Sequence, residues 1–459
     1  MVAQLLFTFL LGLTGFFFTK RILFVRRNIL MGTNVNRSNR KAERWWTMAK
    51  VAMGQSKMVA RPVAGILHIC VYLGFVIINL EMIEIVIDGI LGTHRVFSGL
   101  GSLYGFLICS FEYLALAVLL SCVIFLFRRH IVSIARFKAP EMSGWPSLDA
   151  TIILIAEILL MTAFLNMNAA DAVAMKQAGV EALEHYTHTK VPPSAFPISQ
   201  HLTFMYKGLE PSSLIIAERA YWWFHILGVF AFLVYVPYSK HFHILLAFPN
   251  TWYSNLDETG AMNNMAAVKK EVDLMMDPTA DPYATPPPSD GMPEMPPRFG
   301  VKDAMDLTWK QLMEAYSCTE CGRCTSECPA NITGKMLSPR KIMMDSRDRI
   351  EEIGANRDKN GGEFVDDGKT LLGSFITEEE LWACTSCQAC VEACPINISP
   401  MGIILDMRRS LIMEDSKSPE PITSMFNNME NNGAPWAFPA ASRADWISED
   451  KTTDNNKIT

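Results

Sequence analysis

Two short cysteine runs are the part of this sequence best suited to chemistry. The first, CTECGRCTSECP, extends from Cys318 to Pro329, and the second, CTSCQACVEACP, extends from Cys384 to Pro395. Both follow the spacing C-x2-C-x2-C-x3-C-P, in which three closely spaced thiolates bind three corners of one iron–sulfur cubane. The fourth cysteine, before the proline, binds the neighbouring cubane. The spacing therefore predicts two [4Fe–4S] clusters.

The exchange of the fourth cysteine predicts a ligand set for each cluster. The set for cluster one is Cys318, Cys321, Cys324 and Cys394. The set for cluster two is Cys384, Cys387, Cys390 and Cys328. Zinc needs a single set of four ligands, and two complete runs that each end in Cys-Pro fit it poorly. Disulfides are disfavoured because the charge pattern described below places these cysteines in the reducing cytoplasm.

Three of the nine histidines lie where they could bind a cofactor inside a membrane. His68 lies in the apolar run GILHICVYLGF, and His225 and His243 bracket the run FHILGVFAFLVYVPYSKHFHI. An ionisable side chain in such a run is a functional candidate, although a hydrogen bond to a neighbouring helix is the plain alternative. On one continuous helix, His225 and His243 would share a face and lie about 27 Å apart.

His68 and His243 are expected at the same depth in the membrane. Their two helices are predicted to run in opposite directions, so an early residue of one helix matches a late residue of the other. Two neutral imidazoles on opposite sides of an iron would hold a low-spin b-type haem, which carries one electron. The sequence therefore predicts one haem b between His68 and His243, near the cytoplasmic face.

Five apolar runs are long enough to hold these groups in a membrane, since a spanning helix needs about 20 mostly apolar residues. The predicted spans are Val2–Thr19, Pro62–Val86, Tyr104–Phe127, Ala150–Ala170 and Tyr221–Tyr238. Half of the 459 residues are hydrophobic, and the long apolar runs all precede residue 248. We therefore expect a mainly α-helical fold, with a five-helix transmembrane bundle followed by a cytoplasmic helical dicluster ferredoxin domain.

The distribution of Lys and Arg predicts the orientation of the bundle. Residues 20–61 contain eleven Lys or Arg and only one acidic residue, Glu43. The loop after the third span begins with Arg128 and Arg129, whereas the long loop 171–219 has four basic and five acidic residues. Because basic loops stay in the cytoplasm, the N-terminus is predicted outside. The cysteine runs are then cytoplasmic, and the bundle lies in the inner (cytoplasmic) membrane.

Composition also predicts how the chain is divided. Residues 1–248 are the expected membrane domain, 249–299 a juxtamembrane segment and linker, 300–415 the dicluster domain, and 416–459 a C-terminal tail. Eight prolines in residues 276–297 exclude a regular helix there and favour an extended linker. The tail has little hydrophobic periodicity and is expected to be loosely packed.

The membrane half resembles a known family. The pattern H-x-L-G … P-x-S-K-x2-H-I, which begins at His225, is similar to the membrane cytochrome b subunit of respiratory nitrate reductase and to the related membrane protein of heterodisulfide reductase. In that family the second and fifth helices each supply two histidines for two haems. Here the second helix has only His68, and its second ligand would fall at Ile78 or Asn79. This departure leaves a second haem without a complete ligand pair.

The missing ligand makes Asn79 a candidate for a different role. Asn79 lies on roughly the same helical face as His68, so it is expected to face His225 in the outer half of the bundle. A quinone site there and a simple interhelical hydrogen bond are the two alternatives. Five acidic residues in the apolar runs are candidates for exchanging protons with a quinone, namely Glu81, Glu84, Asp88, Glu112 and Glu157. For Glu84 and Asp88, a position at the outer interface is the favoured explanation.

The cysteine half resembles a second family. An insert of 55 residues, Pro329 to Ala383, separates the two runs and contains a predicted helix, Pro339–Ile353. This arrangement is similar to the helical dicluster domain of the small iron–sulfur subunit of heterodisulfide reductase. It is also similar to the iron–sulfur subunits of succinate dehydrogenase and anaerobic glycerol-3-phosphate dehydrogenase. The whole chain therefore resembles a fusion of a membrane cytochrome b subunit with a dicluster subunit.

These expectations combine into a membrane-bound electron-transfer subunit of a quinone-linked oxidoreductase. Electrons would pass between the quinone pool, haem b and the two clusters, to or from a cytoplasmic partner subunit. The sequence has no nucleotide-binding glycine fingerprint and no Cys-Cys-Gly motif. The soluble substrate is therefore expected to react on that partner, which carries Cys-Cys-Gly motifs in the resembled family.

Two other functions are compatible with the sequence. The helices could anchor a haem-free ferredoxin module to a larger machine, or the clusters could serve a redox sensor or assembly factor. Nucleic-acid binding is excluded because the net charge is −6 and the basic residues lie between apolar runs.

Overall fold

The fold is known from a computed structural model, which describes residues 1–177, 191, 193–258, 260–279 and 298–447. Helices predominate in this part of the chain, and its only β-type pairings are two isolated bridges. The prediction of a mainly α-helical protein is therefore confirmed. Most of the proline-rich segment predicted as a linker, and the end of the predicted tail, lie outside the described residues.

The described residues of the predicted membrane half form seven α-helices. They are α1 (Val2–Ile29), α2 (Lys41–Met48), α3 (Pro62–Leu91), α4 (Ser102–His130), α5 (Trp145–Lys176), α6 (Pro211–Tyr235) and α7 (His243–Trp252). Five of them, α1, α3, α4, α5 and α6, are long and apolar enough to span a membrane, which confirms the predicted number of spans. These helices leave large apolar side chains such as Phe9, Phe16 and Ile66 exposed, as lipid contact requires.

The spanning helices pack side by side in a ring. Helix α3 packs against α4, α4 against α5, and α5 against α6, while α1 contacts both α3 and α6. The Phe7 side chain of α1 enters the bundle, and its ring centroid lies 5.7 Å from that of Trp222 and 5.6 Å from that of Phe230. Gly89 of α3 lies against the Phe7 ring, where a Cβ atom would come within 2.5 Å of it. The closure of the ring by α1 thus depends on a small residue in α3.

The fifth spanning helix ends before His243, so the continuous helix that would place His225 and His243 on one face is not formed. Helix α6 ends at Tyr235, and two short 3-10 turns, Val236–Tyr238 and Lys240–Phe242, precede α7. Pro237 causes the break, since proline lacks an N–H donor and clashes with the preceding helical turn. His225 and His243 therefore lie on two separate helices and do not share one helical face.

The rest of the described chain forms nine shorter helices. They are α8 (Ala266–Met276), α9 (Trp309–Ser317), α10 (Arg323–Ser326), α11 (Pro329–Ile332), α12 (Pro339–Lys359), α13 (Glu378–Ala383), α14 (Ala389–Ala393), α15 (Pro400–Met413) and α16 (Glu420–Asn432). The helix predicted to begin at Pro339 is present and extends beyond Ile353. The Ser338 side chain accepts a hydrogen bond from the Lys341 N–H and so caps its first turn.

The chain divides into two compact units. The first comprises Met1–Met262 and Asp303–Ile404, and the second comprises Asn263–Lys302 and Leu405–Thr459. The first unit therefore joins the helices of the predicted membrane domain to both cysteine runs. In the second unit, the Val301 N–H donates to the Asp406 carbonyl at 3.0 Å.

Within the first unit, polar contacts join the helices of the predicted dicluster domain to the predicted membrane domain. The Arg340 guanidinium donates to the Glu141 carboxylate at 2.7 Å, and the Arg21 guanidinium donates to Glu351 at 2.8 Å. The Asn28 amide of α1 donates to the Tyr316 hydroxyl at 3.0 Å. Because Asn28 and Arg340 are fully buried, these contacts are part of the packed structure and not a loose surface association.

Candidate metal centres

Two equivalent helix–turn–helix segments position the cysteine runs. Helix α9 ends just before Cys318 and α13 ends just before Cys384. Each begins with a capping box, formed by Thr308 and Gln311 in α9 and by Thr377 and Glu380 in α13. Both runs then turn back into a second short helix, α10 or α14, which carries the third cysteine. The local structure thus repeats wherever the cysteine spacing repeats.

The turn of the first run requires glycine. Gly322 has φ +70°, in the left-handed region that favours glycine, and its Cα lies against a buried side chain. A Cβ atom at this position would come within 2.5 Å of Arg340 Nη1. At the equivalent position of the second run, Gln388 has φ +61°. The two runs therefore share the backbone conformation, but the side chain at position 388 shows that only the first run needs a residue without a Cβ atom.

The thiols predicted for cluster one line a single cavity. Four cysteines face it, namely Cys318, Cys321, Cys324 and Cys394. The first three come from the first run and the fourth from the end of the second run, so the two runs meet as the crossed ligand pattern requires. The wall also includes Arg323 and Arg340, together with apolar side chains such as Ile396.

The thiols predicted for cluster two also lie together. Cys390 interacts electrostatically with Cys384, Cys387 and Cys328, of which Cys328 comes from the first run. Cys328 and Cys390 are buried, whereas Cys387 is exposed. The second group of thiols therefore reaches the protein surface at Cys387. None of the four cysteines of the first group is exposed.

The arrangement of the thiols fits a cluster better than a single ion. Within the described residues, no three His, Cys, Asp or Glu side chains come close enough together to hold one metal ion. Burial raises the pKa of Cys318 to about 12 and that of Cys390 to about 12, so these thiols stay protonated near pH 7 and would release their protons only on binding iron. A cubane bound here would carry single electrons.

The rings of His68 and His243 face each other. Their centroids lie 6.3 Å apart and their planes are inclined by 39°. Metal–nitrogen bonds of about 2 Å on both sides of an iron would place two imidazole centroids on the order of 6 Å apart. The His243 Nδ1 atom lies 3.0 Å from the Lys240 carbonyl oxygen. An N–H at Nδ1 would donate to that oxygen and leave Nε2 free to bind a metal. The pair therefore fits axial ligation of a haem iron.

A further polar atom at this pair has no protein partner. The Nδ1 atom of His68 is buried and makes no hydrogen bond to the described protein. An unpaired buried polar atom costs free energy unless a bound group or water satisfies it. Its position beside the His243 ring is thus a second indication that this pair holds a cofactor.

A third histidine, which the sequence analysis did not select, lies beside the pair. The His241 ring centroid lies 5.5 Å from that of His243, with the planes nearly perpendicular. Burial, together with the neighbouring His243 and His68, lowers the pKa of His241 to about 3, so the ring is neutral near pH 7. The sequence indicates that His241 could lie near His243, since a single residue separates the two after Pro237.

At the other end of the bundle, His225 and Asn79 have different partners. His225 is buried, and its Nδ1 atom lies 3.0 Å from the Leu160 carbonyl. Asn79 is exposed, and its amide donates to the Phe75 carbonyl of its own helix. His225 and Asn79 are therefore not hydrogen-bonded to each other. The Asn79 side chain lies on the exposed surface of α3.

Three of the candidate acids have structural partners. Glu84 accepts hydrogen bonds from the Tyr104 hydroxyl at 2.7 Å and from the Phe97 N–H at 2.8 Å. Asp88 accepts from the Arg95 N–H at 2.7 Å, and Glu112 accepts from the Ile198 and Ser199 N–H groups. These bonds hold the loops that follow α3 and α5, which supports a structural role.

Glu81 differs from these acids. It is only 4% exposed, and its Oε2 atom has no hydrogen-bond partner in the described protein. Nearby, the Arg95 guanidinium donates to the Asp171 carboxylate at 2.6 Å and to the Asn168 side chain at 2.8 Å. A buried carboxyl group with a free oxygen, beside a paired network, is suited to exchange a proton with a ligand.

One side chain links the histidine pair to the first group of thiols. The Arg323 guanidinium donates to the backbone carbonyls of Lys57 and Met58, at 3.0 and 3.3 Å. Lys57 and Met58 lie just before α3, the helix that carries His68, and Arg323 also lines the cavity that contains Cys321 and Cys394. The histidine pair and the cluster-one cavity are therefore neighbours within the first unit.

Comparison with known proteins identifies the cysteine-bearing region. Residues 317–398 match the family model described as a 4Fe-4S dicluster domain. This match shows an iron–sulfur dicluster domain in the C-terminal half, where the cysteine runs predict it. No solved structure matches the chain.

Three curated relatives extend this comparison. A probable iron-sulfur-binding oxidoreductase, FadF, of Bacillus subtilis is 25% identical over 449 residues, which cover 92% of this chain and 57% of the relative. An EtfAB:quinone oxidoreductase of Syntrophomonas wolfei is 25% identical over 443 residues, or 92% of this chain and 56% of the relative. One subunit of a ferredoxin/F(420)H(2)-dependent CoB-CoM heterodisulfide reductase of Methanosarcina acetivorans is 31% identical over 120 residues, or 26% of this chain and 60% of the relative.

These relatives confirm the predicted resemblance. The similarity to the heterodisulfide reductase protein is limited to part of the chain, whereas the two oxidoreductases match nearly all of it. The chain thus has the organisation of a fusion, in which membrane helices are joined to a dicluster domain. It spans just over half the length of the two oxidoreductases that it matches. An electron-transfer role in an oxidoreductase follows from these likenesses.

Proposed function

We propose that this chain is a membrane-bound electron-transfer subunit that moves single electrons between a quinone and a cytoplasmic partner. One haem b would lie between His68 and His243, and two [4Fe–4S] clusters would occupy the two groups of cysteines. Arg323 carries this proposal, because it lines the cluster-one cavity and donates to the Lys57 and Met58 carbonyls just before the helix of His68. A carrier in the bundle and a carrier in the dicluster domain would then be close enough to exchange electrons.

The proposal gives the carriers an order. Haem b comes first, cluster one follows because its cavity adjoins the histidine pair, and cluster two comes last. Cluster two is the point of exchange with a partner because Cys387 reaches the surface. The partner holds the site for the soluble substrate, and a redox protein with Cys-Cys-Gly motifs is the candidate implied by the resemblance to heterodisulfide reductase.

A quinone is proposed as the substrate on the membrane side. The name of the Syntrophomonas wolfei relative, EtfAB:quinone oxidoreductase, supports this choice. His225 remains a proposed contact in the outer half, Asn79 is a proposed contact on the outward-facing surface of α3, and the free oxygen of Glu81 is the proposed proton acceptor or donor. The inner membrane, with the cysteine runs in the cytoplasm, is the location that the Lys and Arg distribution favours.

The test is to purify the protein in a mild detergent and to record a reduced-minus-oxidised optical spectrum with quantified haem and iron. The proposal predicts about one haem b per chain and about eight non-haem irons, four for each cubane. His68→Ala should abolish the haem signal and leave the non-haem iron content unchanged. The matched control is His130→Ala, since His130 is exposed and bonds only Thr151.

The outcome distinguishes the alternatives. Intact iron without any haem in the wild-type protein would contradict the His68–His243 assignment and favour a haem-free membrane anchor for a ferredoxin module. Two haems per chain would mean that His225 has an axial partner other than a histidine of α3.

A further inference from the structure

The two cysteine runs can be compared residue for residue, because their spacing and local fold are the same. Between the first and third cysteines they differ in charge at two positions. Glu320 of the first run corresponds to Ser386 of the second, and Arg323 corresponds to Ala389. The two clusters therefore have different electrostatic surroundings within one repeated framework.

The charge of Glu320 is balanced by its neighbours. Its carboxylate accepts from the Lys240 ammonium at 2.5 Å and from the Arg347 guanidinium at 2.7 Å. The Glu320 side chain is 3% exposed, so these two cations are its immediate surroundings. Glu320 thus adds no net negative charge on the side of cluster one.

The charge of Arg323 is not balanced in the same way. Its side chain donates to two backbone carbonyls, those of Lys57 and Met58, which are neutral acceptors. Arg323 is 5% exposed, so water screens its charge weakly. An arginine stays protonated at all physiological pH values, and Arg323 lines the same cavity as the Cys321 and Cys394 thiols.

A fixed cation at this position has a direct consequence for a cluster. A [4Fe–4S] centre gains one negative charge when it is reduced, and burial away from water opposes that gain. The cluster-one cysteines include buried Cys318 and Cys394 and no exposed thiol, whereas cluster two has the exposed Cys387. Without compensation, cluster one would be the harder of the two to reduce.

We propose that Arg323 raises the reduction potential of cluster one and so allows a buried cluster to accept an electron from the membrane side. This inference rests on the proposed ligand sets, since the cluster-one thiols are the groups beside Arg323. The second run has no cation at the equivalent position, where Ala389 is uncharged. Arg323 acts on the cluster through space and is not itself a ligand.

The experiment is a redox titration of the full chain in detergent, with both cluster signals followed by electron paramagnetic resonance. The signal that disappears in Cys318→Ser is assigned to cluster one. In Arg323→Gln, the ratio of reduced to oxidised cluster one at a fixed potential should fall about tenfold, a shift of about 59 mV for a one-electron couple. The potential of cluster two should stay unchanged, and unchanged potentials of both clusters would overturn the inference.

Two matched variants separate charge from shape. Arg323→Lys keeps the positive charge and should retain most of the wild-type potential. Ala389→Arg places the same charge beside cluster two and should raise the potential of that cluster. If Arg323→Gln fails to assemble cluster one, the Ala389→Arg variant decides, and an unchanged potential of cluster two would overturn the inference.

The proposed function can fail separately. A wild-type protein with fewer than two cluster signals would overturn the proposed ligand sets, and the inference with them. Two normal cluster signals with no response to either charge substitution would overturn the inference alone.

Discussion

Gly354 of α12 lies so close to Asn28 of α1 that a Cβ atom at position 354 would come within 2.3 Å of the Asn28 Oδ1 atom. Asn28 is fully buried and its amide donates to the Tyr316 hydroxyl. The side chain therefore cannot move away without breaking that bond. Glycine at this position is what allows α12 to pack against the first spanning helix.

Replacing this glycine should weaken the packing. Gly354→Ala gains helix propensity of about 1 kcal/mol, but the clash with a buried side chain should cost about 1–3 kcal/mol and outweigh that gain. The thermal unfolding midpoint in detergent should fall, and it should recover when Asn28→Ala is added. Gly402→Ala is the control, because a Cβ there meets its nearest neighbour at an ordinary 3.5 Å. A single Gly354→Ala variant as stable as the wild type would contradict the prediction.

The contact between Glu141 and Arg340 should make stability depend on pH. Burial acts to raise the pKa of Glu141, but hydrogen bonds from Ser338 and Arg340 outweigh it and hold the pKa below the usual value. A lowered folded-state pKa stabilises the protein above the unfolded value, about 4.3, and this stabilisation is lost as pH falls through the folded pKa.

The comparison of the wild type with Glu141→Gln measures this effect. The wild type should be the more stable protein from about pH 6 upward, and the difference should shrink as pH falls below about 4. Unfolding midpoints recorded across that range provide the test. A difference that grows in acid would show that the sign assigned to this contact is wrong.

Removing the charge of Asp171 should destabilise the bundle strongly. Asp171 is fully buried and accepts a hydrogen bond from the Arg95 guanidinium, which is itself buried. Asp171→Asn leaves that cation without its partner and should cost about 3–5 kcal/mol. Asp273→Asn is the control, since its ion pair with Lys269 is exposed and should contribute less than about 1 kcal/mol. Equal losses of stability in the two variants would argue against a buried pair.

The crossed ligand sets can be tested by combining cysteine substitutions. Cys394→Ser and Cys318→Ser should each remove cluster one, so the double variant should lose no more iron than either single variant, about four of eight atoms. Cys394→Ser combined with Cys384→Ser should remove both clusters. Iron analysis together with electron paramagnetic resonance distinguishes the cases. Retention of about four irons in the second double variant would assign Cys394 to cluster two.

Much of this architecture could be predicted because its signals are local. The five spans follow from long apolar runs, and the meeting of Cys394 with the first run follows from a spacing that only one cluster geometry explains. The opposite directions of the second and fifth spans also predict that His68 and His243 lie close together, although His243 reaches that place on α7, beyond the break at Pro237. These features depend on periodicity, spacing and direction, all of which a sequence carries.

Other features depend on contacts between distant segments. The sequence gives no sign that Arg323 would reach the Lys57 and Met58 carbonyls, since hydrogen bonds to backbone groups leave no pattern. The direction of Asn79 depends on how α3 is rotated against α4, which the apolar residues on all sides of α3 do not specify. The break at Pro237 was visible as a proline, but the spacing of His225 and His243 suggested a continuous helix.

The most direct test of the central claim is to reduce the protein with a quinol analogue and to follow haem absorbance and cluster signals in the same sample. The wild type should show reduced haem b and then reduced clusters. In His243→Ala, the quinol should leave both clusters oxidised, although dithionite should still reduce them. If the quinol reduces the clusters of His243→Ala as fast as those of the wild type, electrons do not pass through the His68–His243 site, and the proposed order of carriers is wrong.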